Sequence, residues 1–207
     1  FSVEESGNVG TVTISHPYTI AERVIQATAQ PISGLEYTGE PLDTVTLNGV
    51  PNSSTIHIEW RDDQGEGGVL KDVTSPANAT TVDVAPFTEA GSYWLTITVS
   101  KQDYTTCELK DVEVTVGRRQ VDVPTAGSYT YDQVEHTGFT VPEGAPYAIT
   151  TETQANNAGI NAGTYQVGFA LEDTDNYVWR GDADDDGDGQ ITLSWTIAPM
   201  TVPNLYD

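Results

Sequence analysis

Glu89-Ala90-Gly91-Ser92-Tyr93 is repeated almost unchanged as Asn161-Ala162-Gly163-Thr164-Tyr165. Each copy runs into an alternating stretch, Tyr93-Trp94-Leu95-Thr96-Ile97-Thr98-Val99 and Tyr165-Gln166-Val167-Gly168-Phe169-Ala170-Leu171. A polar or acidic residue, then Ala-Gly-x-Tyr, then a period-two run is the sequence form of a tyrosine corner. In that device a Tyr at the start of a late strand bonds back to upstream backbone. The glycine is expected to supply a backbone conformation that a residue with a Cβ disfavours.

Two corners predict two copies of one architecture. The fold class that follows is all-β, built of tandem immunoglobulin-like β-sandwich modules. The Cys that follows the corner Tyr in antibody domains is replaced by Leu95 and Val167, so no inter-sheet disulfide is expected. Cys107 is the single cysteine and has no internal partner. Short runs rich in Val, Thr and aromatic residues are separated by Gly and Pro, and no long helical period appears.

Three similar junctions divide the chain: Tyr18-Thr19-Ile20-Ala21, Val114-Thr115-Val116-Gly117 and Trp195-Thr196-Ile197-Ala198. Each closes a strand, and a Tyr-bearing turn follows each. Residues 1–22 therefore read as the end of a preceding module or N-terminal strands. Residues 23–117 read as a full module, 118–198 as a shorter one, and 199–207 as the start of another. In the first module, strands are expected near 24–28, 42–47, 55–60, 80–85, 93–100 and 109–117. Ile56, Ile58 and Trp60 share an inward face, as do Tyr93, Leu95, Ile97 and Val99. In the second module, Tyr165, Val167, Phe169 and Leu171 should face Ile191, Leu193, Trp195 and Ile197. Residues 152–163 read as a polar loop.

The second copy also carries Leu171-Glu172-Asp173-Thr174-Asp175-Asn176-Tyr177-Val178-Trp179 and Leu193-Ser194-Trp195-Thr196-Ile197-Ala198. With its corner, this resembles the MBG-type bacterial immunoglobulin-like repeats of secreted surface and adhesin-like proteins. The resemblance covers residues 119–207 well. Residues 23–117 keep the corner and Asp103-Tyr104 but lack the Asp-Asn-Tyr-x-Trp block. It implies an extracellular, non-catalytic module of a tandem array on a bacterial surface or in a secreted protein. It carries over no ligand site.

The 31 acidic residues against 8 basic ones give a net charge of −23, which disfavours nucleic acid and anionic lipid as partners. No apolar run is long enough for membrane insertion in this fragment. No catalytic constellation appears: there is no Ser-His-Asp or Cys-His arrangement and no phosphate-binding loop. His16, His57 and His136 stand far apart, and surface roles are expected for them.

The sharpest candidate site is Asp182-Ala183-Asp184-Asp185-Asp186-Gly187-Asp188-Gly189-Gln190-Ile191. From Asp184 it matches the first eight positions of an EF-hand-type calcium loop. Alternating carboxylates converge on one hard cation, Gly189 permits the sharp turn, and the Gln190 carbonyl serves as a ligand. The twelfth position is Trp195 where a bidentate Glu is needed. Asp182, Asp173 or Asp175 would have to complete the set Asp184, Asp186, Asp188 and Gln190. The competing reading is a solvated acidic tip of a hairpin joining the last two strands. The second candidate is Trp94, out of phase with its core-facing neighbours. It can stack on a sugar or partner protein, or cover its own sheet beside a Lys or Arg stem.

The functions that follow are a stalk or spacer whose partners are the neighbouring modules, an adhesin binding host glycan or protein, or accessory modules of a larger extracellular enzyme. Calcium is the one cofactor implied. The short linker Gly117-Arg118-Arg119 implies abutting modules, with both arginines expected to pair with acids.

Overall fold

A computed structural model describes residues 15–63, 65–70, 72–77, 81–181 and 183–201. The described chain is all-β, with a single short 3-10 turn at Gln154–Asn157. It forms tandem sandwiches with separate hydrophobic cores.

In the first sandwich one sheet runs Cys107–Val116, Gly91–Ser100, Thr55–Asp62, Gly67–Val69, and Val73–Thr74 also pairs with Thr55–Asp62. The opposing sheet runs Thr28–Pro31, Leu42–Asn48, Thr81–Phe87. Period-two alternation sends Ile56 and Ile58 from one strand, and Tyr93, Leu95, Ile97 and Val99 from the next, into the core. They meet Val45, Leu47, Val82 and Val84 of the facing sheet. Trp60 is only half-buried. It lies edge-on to Phe87 and Tyr93, with ring centroids 5.8 and 5.6 Å away.

The second sandwich has one four-stranded sheet, in the order Ser128–Thr130, Gln190–Ala198, Gly163–Leu171, Tyr147–Ile149. Its first pair is parallel. Val167, Phe169, Trp195 and Ile197 are fully buried beneath it. Two short pairs complete the sandwich: Arg119–Val121 with Tyr177–Trp179, and His136–Thr137 with Ala158–Gly159.

The region read as a polar loop over 152–163 is ordered, because buried backbone groups nearby need partners. The Asn157 side chain accepts from Phe139 N–H (2.8 Å) and donates to Phe139 C=O (2.9 Å). The Trp195 indole N–H donates to Asn156 C=O at 2.8 Å.

Both corners form as expected. Tyr93 O–H donates to Glu89 C=O at 3.0 Å, and Tyr165 O–H to Asn161 C=O at 2.7 Å. The reason for the corner glycines differs from the expectation. Gly91 is nearly extended, with φ 158°, but a Cβ there would lie 3.1 Å from the Tyr93 ring. At Gly163 no atom lies within 4 Å of a built Cβ, so that copy tolerates a side chain sterically.

Candidate functional site

The acidic loop joins Tyr177–Trp179 to Gln190–Ala198. These strands do not pair with each other. The first runs parallel to Arg119–Val121 and the second pairs with Gly163–Leu171. The expected hairpin is therefore a crossover between two sheets.

Within it, Asp184 accepts from Gly187 N–H and Gly189 N–H, both at 2.9 Å. Asp186 accepts from Asp188 N–H at 3.3 Å. Asp188 accepts from the backbone and side-chain amides of Gln190, at 2.8 and 2.9 Å. One oxygen each from Asp184, Asp186 and Asp188 lies within 4.8 Å of the others. A carboxylate oxygen that accepts one hydrogen bond retains a second lone-pair site. Asp182 lies outside the described residues.

Gly189 adopts φ +81°, and a Cβ there would come 2.4 Å from Thr174 Cγ2, so both conformation and packing demand glycine. The Gly189 carbonyl accepts from the Trp179 indole (2.9 Å) and from Leu171 N–H (3.0 Å). The loop base is thereby fixed to the core. Trp195, at the twelfth position, is buried.

Asp173 does not turn to this loop. Its carboxylate accepts from Asp175 N–H (3.0 Å), Asn176 N–H (3.1 Å) and the Asn176 side-chain amide (2.9 Å). The Asn176 amide and the backbone N–H groups hold its acid below the ordinary aspartate range.

That turn is the centre of a second arrangement, the joint between the sandwiches. Asn176 is 4% exposed. Its side-chain oxygen accepts from Ala90 N–H at 2.8 Å, and its amide donates to the Glu89 carboxylate. Its carbonyl accepts from Arg119 N–H at 2.8 Å. Tyr177 meets Tyr37 edge-on at 5.3 Å. Tyr37 in turn is anchored by donating its N–H to Gly117 C=O at 2.8 Å. A cleft of about 870 Å³ lies beside these contacts, bordered by Asp62, Asp63, Glu89, Arg118, Asp173 and Asp175.

The abutment expected from the short linker is thus made by a neutral side chain. Neither Arg118 nor Arg119 forms an ion pair among the described residues. Arg180 forms one instead, with Asp122 at 2.7 Å. Asn176 and Ala90 were not singled out by sequence reasoning. Asn176 belongs to the Asp-Asn-Tyr-x-Trp block, but nothing local in that block points to a partner 86 residues away.

Trp94 is half-buried on the outer sheet face. The Arg61 guanidinium carbon sits 5.1 Å from its ring centroid, and Arg61 pairs with Asp111 at 3.0 Å. Arg61 and Glu113 flank it across the strands. His57 contacts Asp72 at 2.6 Å and Glu59 at 3.7 Å. His136 departs from a simple surface role: it stacks on Tyr129 at 4.2 Å and bonds Asp132 at 2.9 Å.

No protein-family model matches the chain, so the MBG-type resemblance rests on the quoted residues alone. No curated protein matches it either. Among solved structures, the fibronectin(III)-like modules of Clostridium thermocellum CbhA align over 87% of this chain and 99% of theirs. The identity is 10% and the TM-score 0.24.

Proposed function

We propose that the chain is a non-catalytic spacer: tandem immunoglobulin-like modules, bounded near 23–117 and 118–198, of a bacterial cell-surface or secreted protein of the MBG type. The observation that carries this reading is the contact of the buried Asn176 side chain with Glu89 and Ala90, which couples one sandwich to the next through two part-buried polar bonds. A buried amide bonded on both sides resists bending at the linker, because separating the modules exchanges well-aligned partners for water. Negative charge along the surface keeps such rods apart in solution. Neighbouring modules are the partners of this reading; nucleic acid and membrane insertion are not part of it.

Small-angle scattering of the chain and of Asn176→Ala tests it. The spacer reading expects a narrow, extended distance distribution in the first and a broader one in the second. Equal breadth in both would remove the reading.

A second reading, adhesin-type binding of host glycan or protein, centres on Trp94. Its support is a half-exposed indole on an outer sheet face. Unchanged retention of Trp94→Ala on a glycan array would dismiss it. A third reading makes the modules accessory to a larger extracellular enzyme.

For the acidic loop we propose calcium, held by Asp184, Asp186 and Asp188 with the Gln190 carbonyl and Asp182. The support is the ligand spacing and the convergence of three carboxylates.

A further inference from the structure

The joint consists of a socket and a peg, and each sandwich carries both. The socket on the first sandwich is Tyr37, Glu89 and Ala90; the peg on the second is Asn176-Tyr177. The corners place Asn161 and Ala162 of the second sandwich where the first has Glu89 and Ala90. Tyr131 stands in the place of Tyr37, since its N–H donates to Ala198 C=O at 2.8 Å as that of Tyr37 does to Gly117 C=O. On the peg side, Arg23 N–H donates to Asp103 C=O at 3.1 Å, and Arg119 N–H to Asn176 C=O at 2.8 Å. Arg23 pairs in register with Tyr104, as Arg119 does with Tyr177. Asp103 thus occupies the peg position in the first sandwich, on a turn one residue shorter.

The two sockets differ in cover. Ala90, which bonds the peg, and Gly91 are half-buried, whereas Ala162 and Gly163 are exposed. No described residue bonds to Ala162 N–H. They differ in polarity as well. Socket one presents a carboxylate, Glu89, and receives an amide, Asn176. Socket two presents an amide, Asn161. The peg of the first sandwich is a carboxylate, Asp103, and Lys101 stands where the second sandwich has Asp173. A carboxylate peg would be repelled by Glu89 but would accept from both Ala162 N–H and the Asn161 amide.

We propose that Tyr131, Asn161 and Ala162 form a second socket, and that its partner is a module whose peg is Asp-Tyr, like that of the first sandwich. The head of this two-module unit fits its own tail, so the unit repeats head to tail with alternating joint polarity. This rests on the spacer reading and extends it to the choice of neighbour.

The test replaces residues 199–207 with a second copy of residues 22–117, fused directly after Ala198. Glu22 then follows Ala198 as Arg118 follows Gly117. The expected result is an extended scattering profile and roughly tenfold slower exchange of the Ala162 amide than in the unextended chain. Asn161→Glu in the extended chain should reverse both while leaving the Asn176 joint intact. Adding Asp103→Asn in the fused copy should restore them, by recreating the Glu–Asn pair of the first joint. Amide spectra confirm that each appended module is folded; in this chain itself, Asn176→Asp, facing Glu89, should open the first joint. An unprotected Ala162 amide, an ineffective Asn161→Glu, a failed rescue or a harmless Asn176→Asp would each overturn the proposal. The spacer reading falls separately, on Asn176→Ala.

Discussion

The Asn176 side chain of the second sandwich donates to the Glu89 carboxylate of the first, and Glu89 is the residue whose carbonyl receives the Tyr93 corner bond. A device internal to one sandwich is therefore also the anchor of the next. Truncating Asn176→Ala should leave Ala90 N–H without its partner and cost about 1–3 kcal/mol of coupling between sandwiches. Differential scanning calorimetry should then resolve two transitions closer to independence. A double-mutant cycle with Glu89→Ala should give strongly non-additive losses. Additive ones would mean the pair is not coupled.

Tyr93→Phe and Tyr165→Phe remove the same bond but should not have the same reach. Each should cost about 0.5–1.5 kcal/mol in its own sandwich by denaturant titration. Only Tyr93→Phe should also loosen the joint, because in this chain Glu89 receives a peg and Asn161 does not. Equal scattering profiles for the two variants would contradict this.

Acid should act on the joint through Asp173. Its acid is held below the ordinary value of 3.8, first by the Asn176 amide and then by backbone N–H groups. A depressed carboxylate contributes stability that is fully present above the unfolded value and is lost as pH falls through the folded one. The turn that holds Asn176 should therefore keep its stability at pH 5 and lose it below about pH 3.8, loosening the joint with it. Asp173→Asn should abolish that part of the acid dependence in a pH series of scattering profiles.

His57 titrates in the opposite sense. The Asp72 hydrogen bond raises it above 6.5, with Coulombic help from Asp72 and Glu59 against partial burial. Its stabilisation is complete below the ordinary histidine range and fades as pH rises through the raised value. The first sandwich should lose a little stability on going from about pH 6 to pH 8, and Asp72→Asn should flatten that slope. A slope unchanged by Asp72→Asn would show that the pair does not titrate this way.

For the acidic loop, calcium at about 100 times its dissociation constant should add about 2.7 kcal/mol to the second sandwich. The gain should appear as a raised melting temperature, absent in Asp184→Asn with Asp186→Asn. A melting temperature indifferent to millimolar calcium would leave the loop as a solvated tip.

Much of this architecture was legible because it follows from alternation. The inward faces led by Ile56 and Tyr93, and Trp195 beneath its sheet, come straight from the two-residue period. The corner bonds were legible because Ala-Gly-x-Tyr is a local motif. Asn176 was not, because its partners lie in the other sandwich and no local pattern encodes them. The polar run around Asn156 and Asn157 was legible as a loop, but what its side chains do was not, for a related reason. Its side chains satisfy backbone and indole groups of the core, a demand visible only once Phe139 and Trp195 are placed. The three aspartates of the loop were legible as a spacing, and Thr174 against Gly189 was not.

The parallel pairing of Ser128–Thr130 with Thr196–Ala198 has a mechanical consequence. These strands lie near opposite ends of the second sandwich's chain, and tension on those ends draws them in opposite directions along their own length. Every hydrogen bond between them is then loaded at once, whereas unzipping would load them one after another. The Glu36 and Gly117 bridge, also parallel, places the first sandwich under the same geometry. A chain built this way meets a steady pull in shear, the direction in which its closing bonds act together.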